Sequence, residues 1–196
     1  MADSLAPDDV LPLLSGTFGH VYRYEQLCSS TQRLLQPDDP EGAVAVAEEQ
    51  SEGRGRLGRS WQAPARTSVL LSILLRPEVE PPRLPELTLV AGGAVAQAIA
   101  EATGLEPAIK FPNDVLVSGK KVAGILAEST EGRVVLGIGV NVNQTEEQLP
   151  TGTQAEPTSL RLELGREVDR AALLVAILAH LERAYDAWAT GTAGSG

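Results

Sequence analysis

Cysteine occurs once in this chain, as Cys28, and a single thiol excludes an internal disulfide and a cysteine-based zinc site. Its simplest role is that of a small buried apolar residue. Aromatic residues make up only 4% of the sequence, too few for the stacked platforms of a general single-strand nucleic-acid binder. Positive charge is scarce as well. Lys and Arg number 16 against 26 Asp and Glu, a net charge of −10, which argues against broad binding to DNA, RNA or an anionic membrane. No apolar run approaches the length of a membrane span. The opening MADSLAPDDV is acidic and has no apolar core, so no signal peptide is read there. These absences leave a cytoplasmic chain in which any anion must be gripped locally. What remains is ordinary: 43% hydrophobic and 21% charged residues over 196 positions fit one globular domain with room for a small appendage.

Against that acidic background one stretch stands out. Gln50 to Trp61 reads QSEGRGRLGRSW, with Arg54, Arg56 and Arg59 alternating with Gly53, Gly55 and Gly58. Guanidinium groups bind carboxylate and phosphate through paired planar donors, and glycine lets a ligand lie against the main chain. The interleaving predicts a mobile loop that closes over a small anion, with Trp61 offering a stacking face. The three glycines also spell GxGxxG after an apolar run, and Glu78 lies twenty residues past Gly58. A dinucleotide fingerprint, however, needs a helix directly after the third glycine. Here RSWQAPARTS follows, broken by Pro64, and then the strand-like SVLLSILL. No GK[ST] follows either, so a Walker loop is excluded too.

In chain order, residues 1–19 are rich in Asp, Pro and Gly and are expected to form a loose lead-in. Ser29, Ser30 and Thr31 precede a short helical pattern, where hydroxyls cap helix starts. AVAVAEEQ and SVLLSILLRP read as strands, the second stopped by Pro77. Leu84, Leu87, Ala91, Ala94 and Ala98 predict a helix over about 84–103. Gly92 and Gly93 inside it suggest close packing against a sheet. Two strand runs follow, separated by a turn at Ser118-Gly119-Lys120, and a third over 133–143 is joined through Thr130-Glu131-Gly132. Connections this short favour an antiparallel meander. Residues 144–157 form a polar loop, an amphipathic helix runs from about Asp169, and the terminal TGTAGSG is a flexible tail. The fold class is α+β, helices packed on a mostly antiparallel mixed sheet. Residues 20–189 form its domain, and 190–196 the tail.

Four segments are odd as pure structure: KFPND at 110–114, AGILAE with Gly124 inside a strand, GIGVNVN with Asn141 at a strand end, and the Arg/Gly loop. Each has a bland account as a turn, a bulge or a surface charge. In the order SST, Q-x-x-GRGRxGRxW, K-aromatic-PND, AGIL-x-E, GIGxNVN, then TSL before a final helix, they closely resemble the catalytic domain of biotin–protein ligases over about residues 22–188. That resemblance implies a class II aminoacyl-tRNA synthetase-like, biotin–lipoate ligase-like fold.

It also implies a two-step reaction: biotin and ATP give biotinyl-5′-AMP, and a lysine of a biotin carboxyl carrier protein, in acetyl-CoA carboxylase or a related carboxylase, then takes the biotin. Lys110 and Arg56 would supply catalytic charge, and magnesium would neutralise pyrophosphate. Ser30, Thr31, Gln32, Gln50, Arg54, Gly55, Arg56, Lys110, Gly124 and Ile125 would bind biotin. Arg56, Arg59, Trp61, Asn113, Asp114 and Asn141 would lie at the adenylate or ATP, and the metal ligands stay unassigned. Phe111 stands where the family usually has Trp and is expected to pack. No sequence for the family's small C-terminal β domain or its N-terminal helix-turn-helix is present, which points to a ligase without repressor function, and a homodimer is compatible with the resemblance. Two rival readings compete with it: a lipoate or other acyl-acid ligase on the same fold, which the SST hydroxyls and Gln50 disfavour, and a non-enzymatic ligand or RNA module using the arginine loop.

Overall fold

In the computed structural model, residues 4–130 and 132–191 are described. Seven strands form one sheet in the order β1-β2-β3-β7-β6-β5-β4. They are β1 (Tyr22–Cys28), β2 (Val44–Gln50), β3 (Ser68–Leu75), β4 (Ala108–Lys110), β5 (Asp114–Val117), β6 (Lys120–Thr130) and β7 (Arg133–Asn141). Among these strands β1 and β2 pair in parallel and the other neighbours are antiparallel. The expected mixed, mostly antiparallel sheet is therefore what forms. The β5–β6–β7 meander closes through Ser118 and Gly119, whose φ values of 51° and 79° make the double left-handed turn that matches strand twist.

Helices lie on one face. They are α1 (Pro7–Val10), α2 (Glu86–Thr103), α3 (Leu160–Leu164) and α4 (Arg170–Ala189), and α2 packs on α4 and on β6. Asp169 caps α4 by accepting the Ala172 N–H at 3.0 Å, as its position before the amphipathic run predicts. Side chains alternate across a strand. In β3, β6 and β7, Val69, Leu71, Ile73, Ala123, Ile125, Leu136, Ile138 and Val140 join the core under the helices. The alternate positions, among them Ser72, Gly124, Gly137, Gly139 and Asn141, line a cavity on the other side.

Under the helices, where β2 meets α4, lies a buried ion pair. Arg170 at the start of α4 is fully buried, and its Nη1 donates to Glu48 Oε2 of β2 at 2.6 Å and to the Ser68 carbonyl at 3.0 Å. The other Glu48 oxygen accepts from the Leu5 N–H at 3.2 Å and the Tyr24 hydroxyl at 3.3 Å. Tyr22 donates to the Leu5 carbonyl at 2.8 Å, and burial followed by the Glu48 charge raises its pKa well above the ordinary tyrosine value.

Four expectations need correction. The lead-in is not loose: Leu5 and Val10 are fully buried and Phe18 is 5% exposed, because apolar residues spaced among the Asp and Pro dock on the helix-side core. Residues 1–3, Glu131 and 192–196, including most of the expected tail, lie outside the described residues. The SST stretch starts only one 3-10 turn, Thr31–Arg33, and no side chain caps it. Phe111 is 77% exposed rather than packed, since the hairpin tip carries it beyond the sheet. Gly92 and Gly93 are not required by close packing. A Cβ on Gly92 would sit 3.7 Å from Ile109 Cγ2, an ordinary contact, and one on Gly93 would meet nothing within 4 Å. Gly93→Ala should therefore stabilise the protein by about 0.5–1 kcal/mol, the helix-propensity difference, read as a higher urea midpoint with unchanged m-value.

Cys28 ends β1 half-buried. Burial, then the Glu25 charge, pushes its thiol up to about 11. Raising a thiol pKa removes the reactive thiolate at neutral pH. Iodoacetamide alkylation of the folded protein at pH 8 should run about a hundred-fold slower than for a thiol with its ordinary pKa, and should accelerate steeply between pH 10 and 11. Rapid alkylation at pH 8 would show the thiol to be open and unshifted.

A cationic cavity on the open face of the sheet

The cavity measures about 990 Å³, and every site residue expected from sequence lines it. Four segments converge: the SST turn, the Arg/Gly loop, the β4–β5 hairpin, and a strap over 150–157. Its floor is the uncovered face of β6 and β7, where Gly124 and Gly139 are paired across the two strands.

The SST turn is fixed by Gln50. Its Oε1 accepts from the Thr31 N–H at 2.7 Å and the Thr31 hydroxyl at 3.1 Å, and the Thr31 oxygen also lies 2.7 Å from Ser72 Oγ. These hydroxyls serve the inner end of the cavity instead of a helix start. Ser30 and Thr31 are almost completely buried. Beside them the Gln32 amide is buried with neither its nitrogen nor its oxygen hydrogen-bonded, and its Nε2 lies against Gly137. An unsatisfied buried polar group costs about 1–3 kcal/mol, so this end of the cavity favours a ligand with both a donor and an acceptor.

The Arg/Gly loop is folded on itself. Gly55 N–H donates to the Arg59 carbonyl at 2.7 Å and Trp61 N–H to the Gly53 carbonyl at 2.8 Å. Gly53 must be glycine, because a Cβ there would come 2.2 Å from the Trp61 carbonyl oxygen. Leu57 at the tip has φ 60° and is 83% exposed, a strained conformation for a leucine. Arg54 forms a two-pronged ion pair with Glu128, at 3.0 and 2.9 Å. Arg59 donates to Gln154 of the strap at 3.0 Å. Arg56 is exposed at the rim and forms no ion pair among the described residues.

The indole of Trp61 lies directly on the floor. A Cβ at Gly139 would come 2.5 Å from its Cε2, and one at Gly124 would come 2.9 Å from its Cζ3. Its Nε1 is buried without a partner. From the hairpin, Lys110 reaches the cavity exposed and without an ion pair among the described residues. Asn113 anchors the hairpin to β6, donating to the Ile125 carbonyl at 3.2 Å while its own carbonyl accepts the Ile125 N–H at 2.9 Å. Asp114 pairs with Lys121 at 2.7 Å. Asn141 borders the cavity, but its amide holds the strap: it donates to the Thr158 carbonyl at 3.0 Å and accepts from Gln144 at 3.1 Å.

Sequence reasoning missed Ser72, Gly137, Gly139 and Lys121, whereas the strap belongs to the polar loop after Asn143 that the resemblance puts at the adenine pocket. Ser72 is the polar interruption in SVLLSILL. Gly137 and Gly139 share the face of Asn141 two residues apart, a pattern that period-two reading exposes. The strap has no periodic signal at all.

An α+β sheet with helices on one face and a cation-rimmed, glycine-floored cavity on the other defines the class of domain. A model of the biotin/lipoate A/B protein ligase family matches residues 24–144, and the chain belongs to that family. The bifunctional ligase/repressor BirA of Bacillus subtilis (strain 168) is 41% identical over 171 residues, covering 83% of this chain and 53% of that protein. A biotin--[acetyl-CoA-carboxylase] ligase of Mycobacterium tuberculosis is 41% identical over 155 residues, covering 76% and 56%. Among solved structures, the biotin protein ligase from Aquifex aeolicus in complex with biotin and ATP is similar with a TM-score of 0.79 at 33% identity, covering 87% of this chain and 72% of that one. The chain spans about half the length of the curated relatives it matches.

Proposed function

We propose that this chain carries the catalytic domain of a biotin–protein ligase, which makes biotinyl-5′-AMP from biotin and ATP and transfers biotin to a carrier-domain lysine. The observation that carries the reading is the convergence, in one cavity, of a polar inner end built from Ser30, Thr31, Gln32 and Gln50 with a cationic outer end built from Lys110 and Arg56. A biotin head group offers the donor and acceptor that the Gln32 amide needs, whereas a bare acyl chain offers neither, so the same observation disfavours a lipoate-type substrate. The named relatives support the same choice.

In the first step a carboxylate oxygen of biotin bonds to the α-phosphorus of ATP while the bond to the bridging oxygen breaks, and pyrophosphate leaves. Two anions must approach each other, so a fixed cation in a site shielded from water contributes most. Lys110 is the group for this role, at the rim on a hairpin anchored by Asn113. The Trp61 indole on the floor and Arg56 at the rim exclude water from the mixed anhydride. In the second step the carrier amine attacks the biotinyl carbonyl, AMP departs, and the amine gives up a proton. Among the described residues no cluster of three His, Cys, Asp or Glu side chains fits a resident metal. A magnesium ion held by the phosphates of the nucleotide would offset their negative charge, with Asn113 and Asp114 near enough to the cavity to help position them. Gly124, Ile125 and the backbone of Gly55 line the biotin slot, and Arg59, Asp114, Asn141 and the strap border the nucleotide. The carrier is a biotin carboxyl carrier domain of acetyl-CoA carboxylase or a related carboxylase. The setting is cytoplasmic, in keeping with the lack of any helix long and apolar enough to cross a membrane among the described residues.

Isothermal titration with biotin and then ATP, followed by mass detection of biotinyl-5′-AMP, tests the reading directly, and absence of adenylate would reject it. Lys110→Gln should lower the rate of adenylate formation by roughly 10² to 10³, the effect of removing one preorganised electrostatic donor. Its melting temperature should stay within about 1 °C, because Lys110 is exposed and unpaired. A lower melting temperature with normal adenylation would make the lysine structural. Arg56→Gly should still form adenylate, since Lys110 remains, but should release it. Biotin should then appear on lysines of a bystander protein that lacks a carrier domain, detected by blotting. Normal adenylation without bystander labelling would show that Arg56 does not retain the intermediate.

A further inference from the structure

Lys121 touches three of the separate parts closing over the floor. Its ammonium lies 2.7 Å from the Asp114 carboxylate of the β4–β5 hairpin and 5.6 Å from the centre of the Trp61 ring. Its side chain is only 24% exposed, and Asp114 is 19% exposed. A Cβ on Gly124 would come 3.3 Å from both Lys121 Cε and Nζ, so the ammonium lies on the same glycine strip as the indole. Through its backbone the residue also holds the strap: Lys121 N–H donates to the Glu156 carbonyl at 2.7 Å, and the Lys121 carbonyl accepts the Thr158 N–H at 2.8 Å.

We propose that Lys121 is a positioning residue that clamps the Trp61 indole to the glycine floor, so that the Arg/Gly loop and the KFPND hairpin hold one shared position. A cation beside an aromatic face is attracted to it, and the attraction grows as water is removed. Lys121 is held on its other side by Asp114, so it cannot swing away without giving up a half-buried ion pair. The indole has no hydrogen-bonding anchor of its own, because its Nε1 is buried without a partner. Apolar contact with Gly124 and Gly139 and the Lys121 cation are then what hold the ring. The backbone bonds to the strap do not depend on the side chain, so substitution separates clamp from scaffold.

The clamp is tested in the ligand-free protein by acrylamide quenching of tryptophan fluorescence. The chain has two tryptophans, Trp61 and Trp188. Subtracting the Trp61→Phe spectrum isolates Trp61, and a Lys121→Met/Trp61→Phe double variant does the same in the substituted background. Lys121→Met should raise the quenching constant of Trp61 about two-fold or more and speed amide exchange over residues 50–66, with the strap unaffected. Lys121→Arg should restore both, because guanidinium also pairs with carboxylate and stacks on indole. The consequence for ligand rests on the biotin–protein ligase reading. Biotin should bind Lys121→Met roughly three- to ten-fold more weakly, the size of one cation–π contact plus one partly buried ion pair. Adenylation at saturating biotin should change little.

Unchanged quenching and exchange in Lys121→Met would overturn the clamp. So would a large fall in the saturated adenylation rate with the Trp61 signal unaltered, which would place Lys121 at the reacting atoms. Failure of the unsubstituted protein to bind biotin would reject the ligase reading, and the quenching measurement would still decide the clamp.

Discussion

Gly124 on β6 and Gly139 on β7 stand opposite one another, and the missing side chains let the Trp61 indole lie where a Cβ would be only 2.5–2.9 Å from the ring. A methyl group at either position would lift the ring off the sheet, and the Arg/Gly loop with it, since Trp61 is bound back to Gly53 within that loop. The depth of the cavity thus depends on backbone exposed as a surface. Strands usually avoid interior glycine because it weakens them. Here the neighbours compensate: Ala123, Ile125, Ile138 and Val140 on the opposite face are buried in the helix-side core. One face of the same two strands supplies stability and the other supplies room.

That division needs the helix layer to be firmly placed, and the Arg170–Glu48 pair gives it a fixed polar contact with β2. Two charges without access to water are costly to bury, and a pair of this kind gains little overall compared with apolar packing. Its effect is on register. Glu48 divides its two oxygens between α4 and the N-terminal segment, so β2, α4 and Leu5 have a single arrangement that satisfies all of them. Slipping α4 by one turn would strand a fully buried carboxylate. Glu48 lies two residues before Gln50, the residue that fixes the SST turn, so the same strand carries the constraint from the core to the inner end of the cavity.

Much of this was legible in the sequence, and the gaps have physical causes. The meander could be read because short connections allow little else, and α2 and α4 because apolar residues recur at helical spacing over four turns or more. The cavity's members were legible from motifs that make poor sense as packing, above all the Arg/Gly loop and KFPND. The parallel pairing of β1 with β2 was not legible, because strand neighbours joined by fifteen residues leave no local signal. Thr31 looks like a cap in the sequence because a hydroxyl before a helical pattern usually is one; its partners, Gln50 and Ser72, are distant in sequence and decide otherwise. Asn141 shows the converse. It borders the cavity as expected, yet its amide is engaged with Thr158 and Gln144, and no motif distinguishes an amide that faces a ligand from one that ties a strap.

Several contacts that hold the closing parts over the cavity are individually weak. Arg54 and Glu128 are 49% and 36% exposed, and an ion pair at such exposure contributes between nothing and about 1 kcal/mol. The bond from Arg59 to Gln154 is likewise exposed. Within each part the bonding is denser: the loop has its own backbone bonds, the hairpin is fastened to β6 by Asn113, and the strap is held by Asn141. Strong bonding inside the parts and weak bonding between them lets the closing pieces separate without unfolding. Access to a buried inner end such as Ser30 and Thr31 requires this freedom of the closing pieces to part. The net charge of −10 adds a further constraint: an anion is repelled by the chain as a whole and meets positive charge at the cavity rim, where Arg56 and Lys110 stand. The opening that admits a ligand and the positive charge that draws an anion to it are therefore placed on the same open face of the sheet.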